Sequence, residues 1–228
     1  MKTIGLVGGM SWESSAHYYR ILNQETALRL GGLHSAPVLL DSLDFAPIAA
    51  LQAEGDWERA GKLLNSSAKR LAKAGAEVIG LATNTMHLVA DAMMDGVDAS
   101  FVHIADPTAD ALLSDGFETV GLLGTRFTME MGFYRDRLAT KGLRSLIPEV
   151  DRTNLNGIIY EELCRGIIRE ESRKIYIAAI ERLAAAGAEA VILGCTEIGM
   201  LIDDSVSPLP VFDTTDLHAR ALVTQALS

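Results

Sequence analysis

Cysteine is nearly missing from this chain: Cys164 and Cys195 are the two in 228 residues. Two thiols and no secretory signal do not make a disulfide framework. Excess positive charge is missing as well. The formal net charge is −10 at pH 7, and binding to a phosphate backbone needs clustered Lys and Arg, so no nucleic-acid partner is expected. An acidic protein can still hold a locally positive small-molecule site. No stretch approaches the roughly 20 apolar residues of a membrane helix, so no membrane partner is expected. The opening MKTIGLVGGMSWESS has a short apolar run, but Gly8, Gly9 and Trp12-Glu13 break it and no small-residue cleavage pattern follows. It reads as a buried first strand rather than a signal peptide, and the expected compartment is the cytoplasm. The five histidines are scattered, with no His/Cys cluster at metal-ligand spacing, so no metal site is expected. G-x-G-x-x-G and Walker patterns are also lacking, which makes the Gly8-Gly9 loop weak support for a nucleotide.

What is present is enough apolar sequence, 49% of the chain, for one large domain or two small ones. Apolar runs at 3–8, 37–41, 77–82, 102–105, 119–124, 190–194 and 211–212 read as short buried strands. Amphipathic stretches such as 57–74 and 172–186 lie between them. Apolar strands without strict alternation, separated by helices, predict an α/β protein with parallel strands covered on both faces.

The chain also repeats itself. RLAKAGAEVIGLATNT at 70–85 matches RLAAAGAEAVILGCTE at 182–197, and TIGLVGG at 3–9 matches TVGLLGT at 119–125. A weaker third pair sets IADPT at 104–108 against VFDTT at 211–215. Helix-to-strand joints often read AGAE, yet three pairs in the same order favour a duplication. The third pair suggests crossovers, so a first α/β domain is expected over 1–103 plus 211–228 and a second over 104–210. Ligands in such sheets bind beyond the carboxyl ends of the strands. If the halves face each other, Thr83 and Cys195 flank one ligand.

Cys195 follows the strand AVILG and precedes TEIGM. A thiol entering a helix N-terminus has its thiolate favoured, although Glu197 opposes this unless it meets a ligand's ammonium group. A free Cys can equally be a small core residue. Thr83, Asn84 and Thr85 offer hydroxyls and successive N–H groups that suit a carboxylate, or an ordinary cap. The loop at Gly124-Thr125-Arg126 is the partner of the opening glycine loop, and both can present N–H groups. His87 reads as a second base or as a structural histidine at a helix start. Cys164 reads as packing. Arg165 reads as a solvated charge or as a contact to an acidic substrate.

The motifs GLVGGMSWESS (5–15), TNTMH (83–87), LLGTRFTM (122–129) and GCTEIG (194–199) together carry a resemblance to the aspartate/glutamate racemases along essentially the whole chain. The resemblance implies two pseudo-symmetric α/β domains, each with a mainly parallel sheet flanked by helices, and an active site in the cleft between them. It implies no cofactor, an amino-acid substrate, a homodimer, and proton transfer at Cα by Thr83 and Cys195. Many members have Cys at both positions. The Thr here resembles a subgroup specific for L-aspartate and L-glutamate. Ligand contacts map onto Met10, Gln52, Thr83–Thr85, Thr196 and Glu197. Arg165 matches one of two basic positions that hold a side-chain carboxylate. The other, in a mobile loop after Asp44-Phe45, is Pro47 here, which admits glutamate or a neutral substrate such as homoserine. Other readings are a superfamily decarboxylase or isomerase using Cys195, and a non-catalytic amino-acid binding protein.

Overall fold

The computed structural model describes all of residues 1–228. The chain folds as two compact units, Met1–His103 with His218–Ser228, and Ile104–Leu217. It passes from one unit to the other after His103 and returns after Leu217.

The first unit holds β1 (Ile4–Gly8), α1 (Trp12–Leu30), β2 (Val38–Ser42), α2 (Phe45–Glu54), α3 (Trp57–Lys73), β3 (Val78–Leu81), α4 (Ala90–Met94) and β4 (Ser100–Phe101). Its four parallel strands are ordered β2-β1-β3-β4. Period-two alternation assigns the faces. Ile4, Leu6 and Val78 pack with Tyr18 and Leu22 of α1. Val7, Ile79 and Leu81 pack with Leu64, Ala68 and Leu71 of α3. The i, i+4, i+7 spacing of those three residues makes α3 a one-faced helix, and each buried leucine contributes about 2 kcal/mol. Asp56 starts α3 by accepting the N–H of Arg59.

The second unit holds α5 (Ala105–Ser114), β5 (Thr119–Gly124), α6 (Arg126–Glu130), α7 (Gly132–Thr140), β6 (Arg144–Leu146), α8 (Arg152–Glu161), α9 (Glu170–Ala185), β7 (Ala190–Gly194) and β8 (Val211–Asp213). Its sheet is parallel and ordered β6-β5-β7-β8, the same pattern as the first. Leu123, Val191 and Leu193 pack with Ile158, Tyr176 and Ile180 of α8 and α9. Val120, Leu122 and Ile192 pack with Leu112 and Leu138 of α5 and α7. The final helix α10 (Thr214–Leu227) starts in this unit and continues into the first, where Leu222 and Val223 cover β1 and β3.

The AGAE repeats do the same work in each unit. Glu77 Oε2 accepts the N–H of Thr3, and Glu189 Oε2 accepts those of Glu118 and Thr119. Each carboxylate thereby closes the strand ahead of it in the sheet.

Three expectations are revised. β8 ladders with β7, and Thr214 Oγ1 donates to the Leu193 carbonyl, so the chain returns to the first unit at His218 rather than at 211. The strand expected at 102–105 stops at Phe101. Pro107 suits a first helical turn because it lacks an N–H, and α5 begins at Ala105. Strand β6 was not expected, since three residues carry no readable period. No helix is long and apolar enough to cross a membrane.

Candidate active site

The first unit gathers Met10, Gln52 and Thr83–Thr85 around the carboxyl ends of β1 and β3, which are adjacent strands. Gly9 leaves β1 with φ 89°, and a Cβ there would lie 2.0 Å from the Leu43 carbonyl oxygen, so only glycine fits. Its N–H donates to Ser15 Oγ. Ser11 caps α1, and Ser14 Oγ donates to the Ala82 carbonyl, tying the loop after β1 to the end of β3. Met10 is buried among Leu51 and Met86, and Gln52 Nε2 is 3.0 Å from Met86 Sδ.

Thr83, Asn84 and Thr85 are all buried. The Thr83 N–H turns back to the Leu81 carbonyl, and Thr85 opens a 3-10 helix, Thr85–Val89, rather than an α-helix. His87 Nδ1 lies 2.7 Å from the Thr83 carbonyl oxygen. A carbonyl only accepts, so Nδ1 carries the proton. Burial, followed by the neighbouring His103 and His218, holds the His87 pKa well below the usual imidazole range. The ring is neutral and donates through Nδ1. The segment after Asp44 is also helical: Pro47 lies in the first turn of α2, which Asp44 caps.

The second unit gathers Thr125, Cys195, Thr196 and Glu197 at the carboxyl ends of β5 and β7. Gly124 and Gly194 are register partners. A Cβ on Gly124 would lie 2.7 Å from the Gly194 carbonyl oxygen and 3.0 Å from Thr128 Cβ. This glycine pair lets both strand ends turn close together. Thr125 caps α6 by accepting the Thr128 N–H.

The Cys195 thiol donates to Glu197 Oε2 at 3.0 Å, and Thr196 Oγ1 donates to the same oxygen at 2.7 Å. Burial first, then the Glu197 carboxylate, pushes the Cys195 pKa well above the usual thiol range. This corrects the expectation of a helix-favoured thiolate. A three-residue 3-10 turn, Ile198–Met200, follows Cys195 in place of an α-helix, so there is no macrodipole to oppose the carboxylate.

Arg165 ends a 3-10 turn, Leu163–Arg165; its side chain is exposed and forms no ion pair. Cys164 packs against the cluster that holds Cys195, and neither cysteine is in a disulfide. Nothing in the sequence marks Tyr160 and Tyr176. Burial, then Cys195, Cys164 and Glu197, push both phenols up, so they stay protonated, and the Tyr176 hydroxyl donates to the Leu155 carbonyl. A cavity of about 510 Å³ in this unit, lined by Asp203, Asp213, Asp216 and Phe212 among others, contains none of these site residues. No group of His, Cys, Asp and Glu side chains is arranged to hold a metal ion.

Each unit thus brings buried hydroxyl, amide or thiol groups to one pair of strand ends, a composition suited to a small polar ligand and to proton transfer. The Asp/Glu/Hydantoin racemase family profile matches residues 7–222. A candidate Asp/Glu racemase from Yersinia pestis is 50% identical, with a TM-score of 0.91 and full coverage of both chains. An aspartate racemase homologue from Pyrococcus horikoshii is 34% identical, with a TM-score of 0.86 and full coverage of both. The broad specificity amino-acid racemase RacX of Bacillus subtilis is 21% identical over 76% of this chain and 75% of its own. The chain belongs to the Asp/Glu/hydantoin racemase family and is an isomerase, an amino-acid racemase.

Proposed function

We propose that this protein interconverts the enantiomers of aspartate, glutamate or a close analogue without a cofactor, with Cys195 and Thr83 as the two proton-transfer groups. The observation that carries the reading is the buried Cys195 thiol hydrogen-bonded to Glu197 at 3.0 Å. That pair can exchange one proton between sulfur and carboxylate. The duplicated fold supports Thr83 as the counterpart, because it follows β3 as Cys195 follows β7.

In the resting protein Cys195 is a thiol, ready to deliver a proton to Cα. To abstract one, it first passes its own proton to Glu197 and then attacks the α-hydrogen as thiolate. A substrate ammonium group offsets the carboxylate that otherwise opposes the thiolate. Loss of the α-proton leaves an enolate-like carboxylate, and the amides and hydroxyls of Asn84, Thr85 and Thr196 are assigned to its stabilisation. Thr83 donates its hydroxyl proton to the opposite face of Cα; the alkoxide left is reprotonated from solvent while Glu197 releases the proton it took, which restores the resting state, or it takes the α-proton in the reverse reaction. Met10, Gln52 and Thr125 shape the ligand's surroundings, and Arg165 is assigned to a side-chain carboxylate. The reading includes a cytoplasmic homodimer, with the dimer tested by light scattering on the eluting protein.

The test is proton NMR of L-aspartate, L-glutamate and L-homoserine in D2O with purified protein and no added cofactor, alongside chiral chromatography. Loss of the α-proton signal with appearance of D product is expected, and its rate ranks the substrates. Exchange with retained configuration would remove Thr83 from the mechanism. No exchange with any of the three would overturn the racemase reading of the site.

A further inference from the structure

Three buried histidines lie in the first unit behind Thr83. The ring of His87 meets that of His103 at 4.6 Å between centroids and that of His218 at 5.7 Å, both edge to face. Phe101 lies against His87 on another side, with centroids 5.7 Å apart. Hydrogen bonds set the tautomers. His218 Nε2 is 2.8 Å from the Val102 carbonyl oxygen, so that nitrogen carries the proton. Its Nδ1 then accepts from the Tyr18 hydroxyl at 2.8 Å. His87 is fixed the other way round, with Nδ1–H on the Thr83 carbonyl. The titratable groups facing His87 are His103 and His218, and Tyr18 acts on it through His218.

The sheet holds the chain up to Ala82, whose N–H donates to the Val7 carbonyl, but does not bind the Thr83 carbonyl. Strand β3 ends at Leu81, two residues before it, and the Thr83 N–H bonds back to Leu81. The orientation of the peptide that follows Thr83 therefore depends on what binds its carbonyl.

We infer that His87 is a positioning residue for the proton-transfer reaction: its Nδ1–H anchors the Thr83 carbonyl and thereby aims the Thr83 hydroxyl. This rests on the racemase reading above. The aromatic enclosure confines the ring, and the carbonyl selects the tautomer. His87 contributes no proton to the reaction. A misplacement of about 1 Å in a reacting group can cost on the order of 100-fold in rate, so one such bond is enough to matter.

The test compares His87→Phe, His87→Asn and His87→Gln for inversion and for α-proton exchange in D2O, measured separately for each enantiomer. The Asn amide nitrogen is as many bonds from Cα as His Nδ1, whereas that of Gln is one bond farther. His87→Asn is expected to retain inversion, and His87→Gln and His87→Phe to lose at least about tenfold. Exchange at the Cys195 face is expected to survive in all three, since Thr83 alone is displaced. The Asn/Gln contrast carries the test if His87→Phe does not fold. Equal inversion in His87→Gln and wild type would overturn the inference. So would equal loss of exchange and inversion in folded variants, which is the mark of a general structural role. Absence of exchange in the wild type would instead overturn the racemase reading, and this inference with it.

Discussion

The Cys195 thiol donates to the Glu197 carboxylate across 3.0 Å, and both side chains are buried in the second unit. Burial and the carboxylate act in the same direction, both holding the thiol protonated. The consequence is a nucleophile that is quiet at rest. In Glu197→Gln the charge that opposes the thiolate is gone, so alkylation of Cys195 at neutral pH should rise on the order of tenfold. Racemisation should fall about 100-fold in the same variant, because the acceptor for the thiol proton is lost. Peptide mass mapping separates Cys195 from Cys164. In the wild type, alkylation should keep rising with pH past the ordinary thiol range near about 8.5, since the pKa is raised. A plateau below that pH would contradict the geometry.

Thr83 is the weaker acid–base partner. Thr83→Ala should abolish inversion and leave exchange at the Cys195 face, as deuterium incorporation followed by chiral chromatography will show. Thr83→Cys should bring the kcat values for L and D substrate closer together. The ratio of kcat/KM for the two enantiomers must stay at unity in every variant, because they have equal free energy in solution. Normal racemisation by Thr83→Ala would leave Cys195 as the sole proton-transfer residue.

Arg165 is exposed and forms no ion pair, so its removal should not disturb the fold. Arg165→Ala should keep its melting temperature. Its KM should rise on the order of tenfold for aspartate and glutamate and be unchanged for homoserine, which has no side-chain carboxylate to lose a partner. Equal KM changes for all three would place Arg165 outside substrate selection.

Burial of His87 should make the first unit acid-sensitive. The His87 pKa is depressed in the folded state, whereas the unfolded chain protonates it near about pH 6.5. Below that pH the unfolded state binds more protons, so stability falls as pH falls and is insensitive to His87 above it. Urea unfolding at a series of pH values should show this slope, and His87→Phe should flatten it. An unchanged slope in that variant would assign the acid sensitivity to other groups.

Much of this was written in the chain itself. The apolar runs at β1, β3, β5 and β7 and the amphipathic α3 and α9 follow from periodicity, which local sequence carries directly. The AGAE repeats revealed the duplication because each Glu closes the strand ahead of it. Thr83 and Cys195 stood out as the polar residues that end paired apolar strands. The sequence could not decide the protonation of Cys195. That depends on burial and on which side chain meets the sulfur, and both are set by how α8 and α9 pack over β7. The neutral state of His87 was equally hidden, because its neighbours His103 and His218 are far along the chain and meet it only in the folded unit. The strand Val211–Asp213 joined the second sheet by pairing with β7, a choice made by the ladder and not by any local signal. Periodicity is local, while pKa, tautomer and strand partnership are properties of groups brought together by packing, and only the tertiary structure supplies them.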